Sequence, residues 1–375
     1  MSTADLLYSD TEEALRDSVR RLLTDRCPPE AVLSVYDSAP KDFTQVWKAL
    51  AADLGVAGLL VPEELGGAGA SAREAAVVCE EIGRAVAPVP FLTSAVLATV
   101  ALLRAGDTEV VRELAEGNRT ATLVVPLSIP PGAPSTGVLA TGGGLTGTVT
   151  SVAGALDADL LVVPAAGPRG LELHVVDRAA RGVTVTPVLA LDMTRPLADV
   201  SFGATPSTRV SSDAAGAVAE ALRCGAALLA SEQYGVARWC FDTTLAYVKD
   251  RKQFGRAIGS YQAIKHRLAE LWLELGSAAS AARYAADTYA RGDDDAEIAA
   301  ALAQSYCGDA AVHAAEECVQ LHGGIGMTWE YPAHLYLKRA KSSQLAFGTG
   351  YRHRARLAEL IDLPVTADPA TTTRS

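Results

Sequence analysis

The chain has 375 residues, of which 49% are hydrophobic and 21% are charged, and this composition excludes a peptide-sized scaffold and a disordered regulatory protein. With 33 basic and 44 acidic residues, the formal net charge is −11, which argues against nucleic-acid binding through a broad basic surface. The start of the chain is acidic where a secretory leader would be basic, and the most apolar short run, residues 95–103, is far below the roughly 20 residues of a membrane-spanning helix. We therefore expect a globular, cytoplasmic protein whose partners include neither nucleic acid nor a membrane.

The first part of the chain is predicted to be helical. In residues 11–23 apolar side chains recur at helical spacing and charged side chains take the other face, which is typical of an amphipathic helix. The pattern repeats around Trp47, and the glycine-rich turn at 62–70 leads into a further helix through Ile82. We assign residues 1–118 to an N-terminal helical domain.

The composition changes completely in the middle of the chain. Between residues 120 and 168 the only charged side chains are Asp157 and Asp159, and glycine, threonine, valine and proline dominate. Short β-branched runs separated by glycine and proline predict strands at 122–125, 160–163, 173–176 and 183–188. We assign residues 119–210 to a central β domain.

Helical periodicity returns after Ser212. An apolar stripe that begins at Ile264 predicts one long helix after Gln262, and the alanine-rich stretch 278–303 favours close approach between helices. We assign 211–363 to a C-terminal four-helix bundle and 364–375 to a flexible tail.

Common cofactor motifs are missing. The glycine string Gly142–Gly144 is predicted to be part of a hairpin, because it lacks the strand–glycine loop–helix context of a dinucleotide-binding fold. The six histidines have no metal-ligand spacing, so no metal site is predicted. The six cysteines form no CxxC pair and are expected to be buried thiols of a reduced compartment.

Two C-terminal segments, 250–271 and 320–350, resemble the signature segments of the acyl-CoA dehydrogenase superfamily. In the first segment the shared residues are Arg251, Phe254, Gly255, Ile258, Gln262 and Leu268. In the second they are Gln320, Gly323, Gly324, Gly326, Glu330, Pro332, Gly348 and Thr349. The resemblance continues in 47–69, 80–88 and 191–202, and so covers nearly the whole chain.

The resemblance implies an α+β fold with an N-terminal helical domain, a central β-barrel or sandwich and a C-terminal helical bundle. It also implies an FAD-containing oxidoreductase of lipid or steroid degradation that removes two hydrogens across the α,β carbons of an acyl-CoA thioester. Family members are usually tetramers, and an electron-transfer flavoprotein is a further partner that the resemblance allows. The reaction needs a carboxylate that takes the α proton while the flavin takes a hydride from the β carbon.

The usual positions of that carboxylate hold no acid in this sequence. The family's Glu-Gly-Thr motif reads Phe347-Gly348-Thr349, and the position used by a smaller branch falls near Gly225. Phenylalanine and glycine cannot accept a proton in a general-base role. Glu232, on an otherwise apolar helical stretch, is a candidate replacement base, and an ordinary ion-paired helix glutamate is the alternative interpretation.

The resemblance also divides the residues that would hold FAD into two sets. The set that one family subunit supplies, a Thr-Glu-Pro…Gly-Ser-Asp stretch and a Trp-x-Thr in the β domain, is missing, because 123–137 lacks the first motif and the β domain has no tryptophan. The set that the neighbouring subunit supplies is present. The residues predicted to contact the cofactor are Arg251, Phe254, Gln320, Gly323, Gly324 and Thr349.

This asymmetry leads to the hypothesis that the chain is the base-less subunit of a heterotetrameric (α2β2) acyl-CoA dehydrogenase and that a partner acyl-CoA dehydrogenase chain supplies the base. Such subunits occur in actinobacterial enzymes that act on steroid side-chain thioesters. Three alternatives stay open: an active homotetramer with a relocated base, a flavin-dependent monooxygenase or oxidase of the same fold, and a non-catalytic scaffold subunit.

Overall fold

The computed structural model describes residues 6–37, 41–133 and 137–363, which form helices, then a sheet, then helices again in chain order. One hydrophobic core runs through the N-terminal and C-terminal helices, and a second fills the β domain. None of the described helices is long and apolar enough to cross a membrane. The tail predicted for 364–375 lies outside the described residues.

The N-terminal region is helical, as the apolar periodicity predicts. Its first helix and its fourth each begin with a capping box, in which Ser9 pairs with Glu12 and Ser71 with Glu74. The helices are α1 (Asp10–Arg26), α2 (Pro29–Val32), α3 (Thr44–Lys48), α4 (Ala72–Ala85), α5 (Thr99–Ala105) and α6 (Glu109–Ala115). Helix α5 continues directly from a π-helical segment, Phe91–Ala98, that is buried throughout.

Eight strands of the middle region form a single sheet. They are β1 (Ala121–Leu123), β2 (Val138–Thr141), β3 (Gly144–Ala153), β4 (Leu160–Gly167), β5 (Gly170–Asp177), β6 (Val183–Val188), β7 (Leu197–Thr205) and β8 (Thr208–Ser211). Their order is β6-β7-β3-β2-β4-β5-β8, and β1 pairs with β4 in parallel. The hairpin predicted around Gly142–Gly144 is confirmed, because β2 and β3 pair antiparallel on either side of it.

The C-terminal region contains three long helices and two shorter ones. They are α7 (Ala215–Asp250), α8 (Gln262–Arg291), α9 (Ala296–His322), α10 (Ala333–Leu345) and α11 (Gly350–Leu360). A small hairpin, β9 (Lys252–Gln253) and β10 (Arg256–Ala257), follows α7. Helix α11 packs on α9 in addition to the helices α7, α8 and α10. The alanine-rich stretch does allow close approach, because its alanines form one buried cluster with Ala227 and Ala230 of α7.

Helices α4 and α7 approach each other through two glycines. A Cβ atom on Gly235 would lie 1.9 Å from the Glu80 carbonyl oxygen, and one on Gly83 would lie 2.1 Å from the Glu232 carbonyl oxygen. Real Cβ atoms cannot come so close to backbone, so no other residue fits at either position without separating the helices. The two glycines therefore fix the distance between the N-terminal and C-terminal helices.

We expect Gly235→Ala to lower the free energy of unfolding by about 1–3 kcal/mol, because the added methyl group overpacks the α4–α7 contact. Gly276→Ala is the matched control, since Gly276 lies inside α8 and a Cβ there would meet no atom within 4 Å. That change should stabilise the chain by roughly 0.5–1 kcal/mol through helix propensity alone. Chemical denaturation of both variants measures the two effects, and equal stability of the two variants would contradict the close contact.

Candidate functional site

The two positions at which the family's base is expected, Gly225 and Phe347, lie in direct contact. A Cβ atom on Gly225 would be 2.9 Å from Cζ of Phe347 and 2.5 Å from Cδ2 of Leu97. The Phe347 side chain is 1% exposed, and its backbone is in the left-handed region with φ +56°. Hydrocarbon therefore fills the space between the two positions at which the resemblance predicts a carboxylate.

The residue that separates Phe347 from the sheet is Leu127, which belongs to the 123–137 stretch. The Phe347 N–H donates to the Leu127 carbonyl oxygen at 2.8 Å, and the Leu127 N–H donates to the carbonyl oxygen of Ser151 in β3 at 3.0 Å. Leu127 is itself buried. Three segments thus bond to one another edge to edge through their main chains, and these backbone groups are not free to bind a ligand.

Gly348 and Thr349 continue this loop into α11. Gly348 has φ +101°, and a Cβ there would lie 3.2 Å from Cβ of Pro130 and 3.6 Å from Nε2 of His353. His353 is buried against the loop, and burial lowers the pKa of its imidazole. Thr349 is exposed at the start of α11, although only Gly348 separates it from the buried Phe347.

Glu232 is in a buried cluster of four charged residues. Its carboxylate accepts from Nη2 of Arg195 at 2.6 Å and lies 3.3 Å from Nε of Arg339. Arg339 also contacts Asp192 at 3.4 Å, and all four side chains are more than nine-tenths buried. Two guanidinium groups balance two carboxylates, as buried charges require. Glu232 thus links α7 to the 189–196 connection and to α10.

This cluster is separate from the Gly225–Phe347 contact. Glu232 follows Gly225 by seven residues on α7, which corresponds to about 10 Å along the helix axis. Burial, with the neighbouring Arg339 as the next cause, lowers the pKa of Arg195. The geometry matches the ion-paired interpretation of Glu232, because its oxygens are engaged by arginines.

Arg251 and Phe254, which the resemblance predicts to contact the cofactor, follow α7: Arg251 comes directly after the helix, and Phe254 lies at the turn of the β9–β10 hairpin. Phe254 and Gly255 form the two-residue turn, with φ of +52° and +78°, the signs of a type I′ turn. Phenylalanine is unfavourable at positive φ, yet the Phe254 side chain is 92% exposed and gains no packing within the chain. The hairpin therefore holds the Phe254 ring in solvent, where it is accessible to another molecule.

Gln320, Gly323 and Gly324 lie at the end of α9 and are also exposed. The ring of His322 stacks on Tyr247 at 4.3 Å, and the Arg251 N–H donates to the Tyr247 carbonyl oxygen at 2.9 Å. These contacts bring the ends of α7 and α9 together. A Cβ on Gly323 or Gly324 would meet no atom within 4 Å, so the main chain there is open to an approaching ligand.

The structure therefore separates the predicted cofactor residues. Arg251, Phe254 and the end of α9 share one exposed end of the bundle, whereas Thr349 belongs to the loop beside Phe347. The sequence analysis missed Leu127, because a backbone bond leaves no side-chain signal, and it missed Arg195 and Arg339. Both arginines were visible in the sequence, but nothing in their spacing pairs them with Glu232.

Among the described residues, no group of three or more histidine, cysteine or acidic side chains is placed to hold a metal ion. All six cysteines are buried free thiols, as predicted.

Comparison with known proteins extends this picture to the whole chain. Residues 9–117 match the acyl-CoA dehydrogenase N-terminal domain, and residues 215–361 match the acyl-CoA dehydrogenase C-terminal domain. The acyl-CoA dehydrogenase IpdE2 of Mycolicibacterium smegmatis is 36% identical over 349 residues, which are 93% of this chain and 98% of that protein.

Two solved structures have the same fold. The ChsE4-ChsE5 complex from Mycobacterium tuberculosis matches with a TM-score of 0.84 and 27% identity over 96% of this chain and 100% of the other. A variant of the Tcur3481-Tcur3483 steroid acyl-CoA dehydrogenase matches with a TM-score of 0.82 and 28% identity over 94% and 98%. The predicted architecture is thereby confirmed, and the chain belongs to the acyl-CoA dehydrogenase family, whose members are typically FAD-containing oxidoreductases.

Proposed function

We propose that this chain is the subunit without a catalytic base in a heteromeric, FAD-dependent acyl-CoA dehydrogenase. The observation that carries the proposal is the packing of Phe347 against Gly225, because it fills both family positions of the base with groups that cannot take a proton. Abstraction of the α proton is therefore assigned to a carboxylate of the partner chain.

The region around Leu127, where a family subunit supplies its own contacts to FAD, does not fit the cofactor in this chain. The bonds from Phe347 to Leu127 and from Leu127 to Ser151 join the main chain at Leu127 to β3 on one side and to the loop before α11 on the other. An isoalloxazine ring between these segments would have to break two buried main-chain hydrogen bonds, each of which leaves unsatisfied groups when broken. No step of the reaction is therefore assigned to this region.

The exposed end of the bundle does fit a neighbour's FAD. Arg251 offers a guanidinium group for a pyrophosphate, Phe254 offers an aromatic ring, and the glycines after α9 allow close main-chain approach. When bound, FAD accepts the hydride from the β carbon of the substrate. The role of this chain is to hold and orient that cofactor from the side opposite to the partner.

A surface suited to the partner runs along α8 and α9. Leu273, Leu302 and Tyr306 are exposed there and line an apolar groove whose floor includes the small residues Gly276 and Ser280. Small residues at a helix surface let a second helix approach closely, and an exposed apolar groove favours association between chains.

Because two similar structures are described as a ChsE4-ChsE5 complex and as a Tcur3481-Tcur3483 steroid enzyme, we assign a steroid-derived acyl-CoA as the substrate class of the complex.

We expect the isolated chain to purify without flavin and the complex recovered from its native host to contain one FAD for each pair of chains. In that complex Arg251→Ala and Phe254→Ala should each lower the affinity for FAD at least tenfold, because each removes a contact to the cofactor. Flavin absorbance against protein concentration measures the stoichiometry, and titration of the deflavinated complex measures the affinity.

Lys252→Ala is the control for these two variants, since Lys252 is exposed in the same hairpin and is not assigned to the cofactor. A loss of FAD from Lys252→Ala equal to that from Arg251→Ala would mean that hairpin stability, and not a direct contact, governs cofactor binding. Full flavin occupancy and turnover by the isolated chain would overturn the proposed role.

The Phe347 ring should matter for stability and not for catalysis. We expect Phe347→Ala to lower the free energy of unfolding by about 3–5 kcal/mol, because it leaves a cavity beside Gly225 and Leu97. Turnover of the assembled complex should stay within twofold of the wild-type value. Phe347→Leu, which keeps most of the volume, serves as a second variant if the alanine variant does not assemble, and a loss of turnover in a stably assembled Phe347→Leu complex would contradict this assignment.

Glu232 tests the alternative in which an active homotetramer uses a relocated base. We expect Glu232→Gln to destabilise the chain by about 3–5 kcal/mol, because Arg195 and Arg339 lose their buried counter-charge. Complexes that still assemble should keep their turnover and pH profile. A stable Glu232→Gln chain that binds FAD and has lost dehydrogenation would instead favour the homotetramer.

A further inference from the structure

A second pocket, of about 690 Å³, lies at one end of the β domain and shares no residue with the surfaces assigned to the cofactor or the partner. The glycine string Gly142–Gly144, at the turn of the β2–β3 hairpin, forms one side of its rim. Arg181, between β5 and β6, lies on the lining as well. The remaining lining includes a connected group of polar side chains from β5 and β8, and this group has no part in the function proposed above.

Three of these side chains form a hydrogen-bonded chain. Ser207 Oγ lies 3.0 Å from Nδ1 of His174, and Nε2 of His174 lies 3.1 Å from the carboxylate of Glu172. Glu172 and His174 are 4% and 6% exposed, whereas Ser207 is exposed at the pocket surface. Glu172 and His174 are two apart on β5, so both project from the same face of the strand.

The Glu172 carboxylate is held in place from two sides. Arg209, which is directly opposite His174 in the β5–β8 pairing, donates to it at 3.4 Å. A Cβ on Gly167 of the neighbouring strand would lie 2.4 Å from Cδ of Glu172, so only glycine leaves room for the carboxyl group. The Glu172 carboxylate accepts a hydrogen bond from Nε2–H in the tautomer of His174 that leaves the Nδ1 lone pair facing the Ser207 hydroxyl.

A nucleophile within hydrogen-bond reach of a base, with that base oriented by a carboxylate, is the arrangement that activates serine for acyl transfer. The roles are recognised by geometry, whatever the fold that carries them. The pocket also brings two guanidinium groups, Arg181 and Arg209, to the same space. Because Arg209 is engaged by Glu172, the positive charge that offsets the negative charge on a carbonyl oxygen under attack is assigned to Arg181.

We propose that this pocket is a second catalytic site, which hydrolyses small water-soluble carboxylic esters. Ser207 Oγ forms a bond to the ester carbonyl carbon as its proton passes to Nδ1 of His174, and the bond to the alcohol oxygen breaks as that proton moves to the leaving alcohol. Water then attacks the acyl-serine, gives a proton to His174 and releases the carboxylic acid, and His174 returns the proton to Ser207. Ser207 and His174 are the catalytic residues, and Glu172 is a positioning residue.

The experiment uses the full chain, p-nitrophenyl acetate as substrate and a fluorophosphonate probe that labels activated serines. We expect the wild-type chain to hydrolyse the ester and to carry the label on Ser207 when its peptides are analysed by mass spectrometry. Ser207→Ala should abolish the label and lower kcat/KM by about 10²–10⁴-fold, the usual loss on removal of an acid–base or nucleophilic step. Because Ser207 is exposed, this variant should keep the wild-type melting temperature.

Ser211→Ala is the matched control, because Ser211 ends strand β8, which follows Ser207 directly, is bonded to the backbone of Asp213 and does not line the pocket. It should keep full activity and labelling. Glu172→Gln should lower kcat and leave KM unchanged, which distinguishes orientation of His174 from a general loss of structure.

The proposal is overturned if Ser207→Ala hydrolyses the ester within twofold of the wild-type rate, or if the label is absent or found on another residue. Dehydrogenation by the assembled complex should be the same with Ser207→Ala as with the wild-type chain. This result keeps the two proposed activities distinguishable, since the failure of one leaves the other untouched.

Discussion

The structure depends on one buried electrostatic contact, the carboxylate of Glu232 between Arg195 and Arg339. It connects three parts of the chain that are far apart in sequence: helix α7, the 189–196 connection that follows β6, and helix α10. An ion pair removed from water contributes little net stability when complete, but removal of one partner is costly. Such a contact therefore selects one arrangement of the three parts, and this arrangement sets where the loop after α10 returns to the sheet.

That loop carries Phe347, and its position underlies the proposed difference between the two sets of residues that the family uses to hold its cofactor. With α10 fixed, the Phe347 N–H reaches Leu127, and Leu127 in turn reaches Ser151. These two main-chain bonds satisfy buried N–H and carbonyl groups, and they also join the loop and Leu127 to β3. The segments at the ends of α7 and α9 are exposed to water, so their backbone groups need no such bonds. In the proposed complex, this arrangement leaves the exposed ends of α7 and α9 as the part of the chain that contacts the cofactor of the partner.

The sequence was sufficient for the helices and for the family, since apolar periodicity in α1 and α8 and the residues around Arg251 and Gln320 are local signals. It also placed β6 over Val183–Val188 and the hairpin at Gly142–Gly144 correctly. Strand β7 falls mostly within 191–202, the segment whose resemblance pointed to the closing strands of the β domain, and Ala198, Val200 and Phe202 are buried at alternate positions along it. The Gly225–Phe347 contact could not be predicted from spacing, since 122 positions separate the two residues and only the packed helices bring them together.

Phe254 shows how strain and exposure together indicate a role. A phenylalanine at positive φ has a higher conformational energy than a glycine there, and its 92% exposed ring receives no compensation from the chain itself. Gly255, beside it, could have taken the left-handed position alone in a different turn. The type I′ turn is retained with the ring in solvent, at the end of a hairpin that begins at Arg251. In the proposed complex, the exposed ring is available to a cofactor held mainly by the partner, at the same end of the bundle as Arg251 and the end of α9.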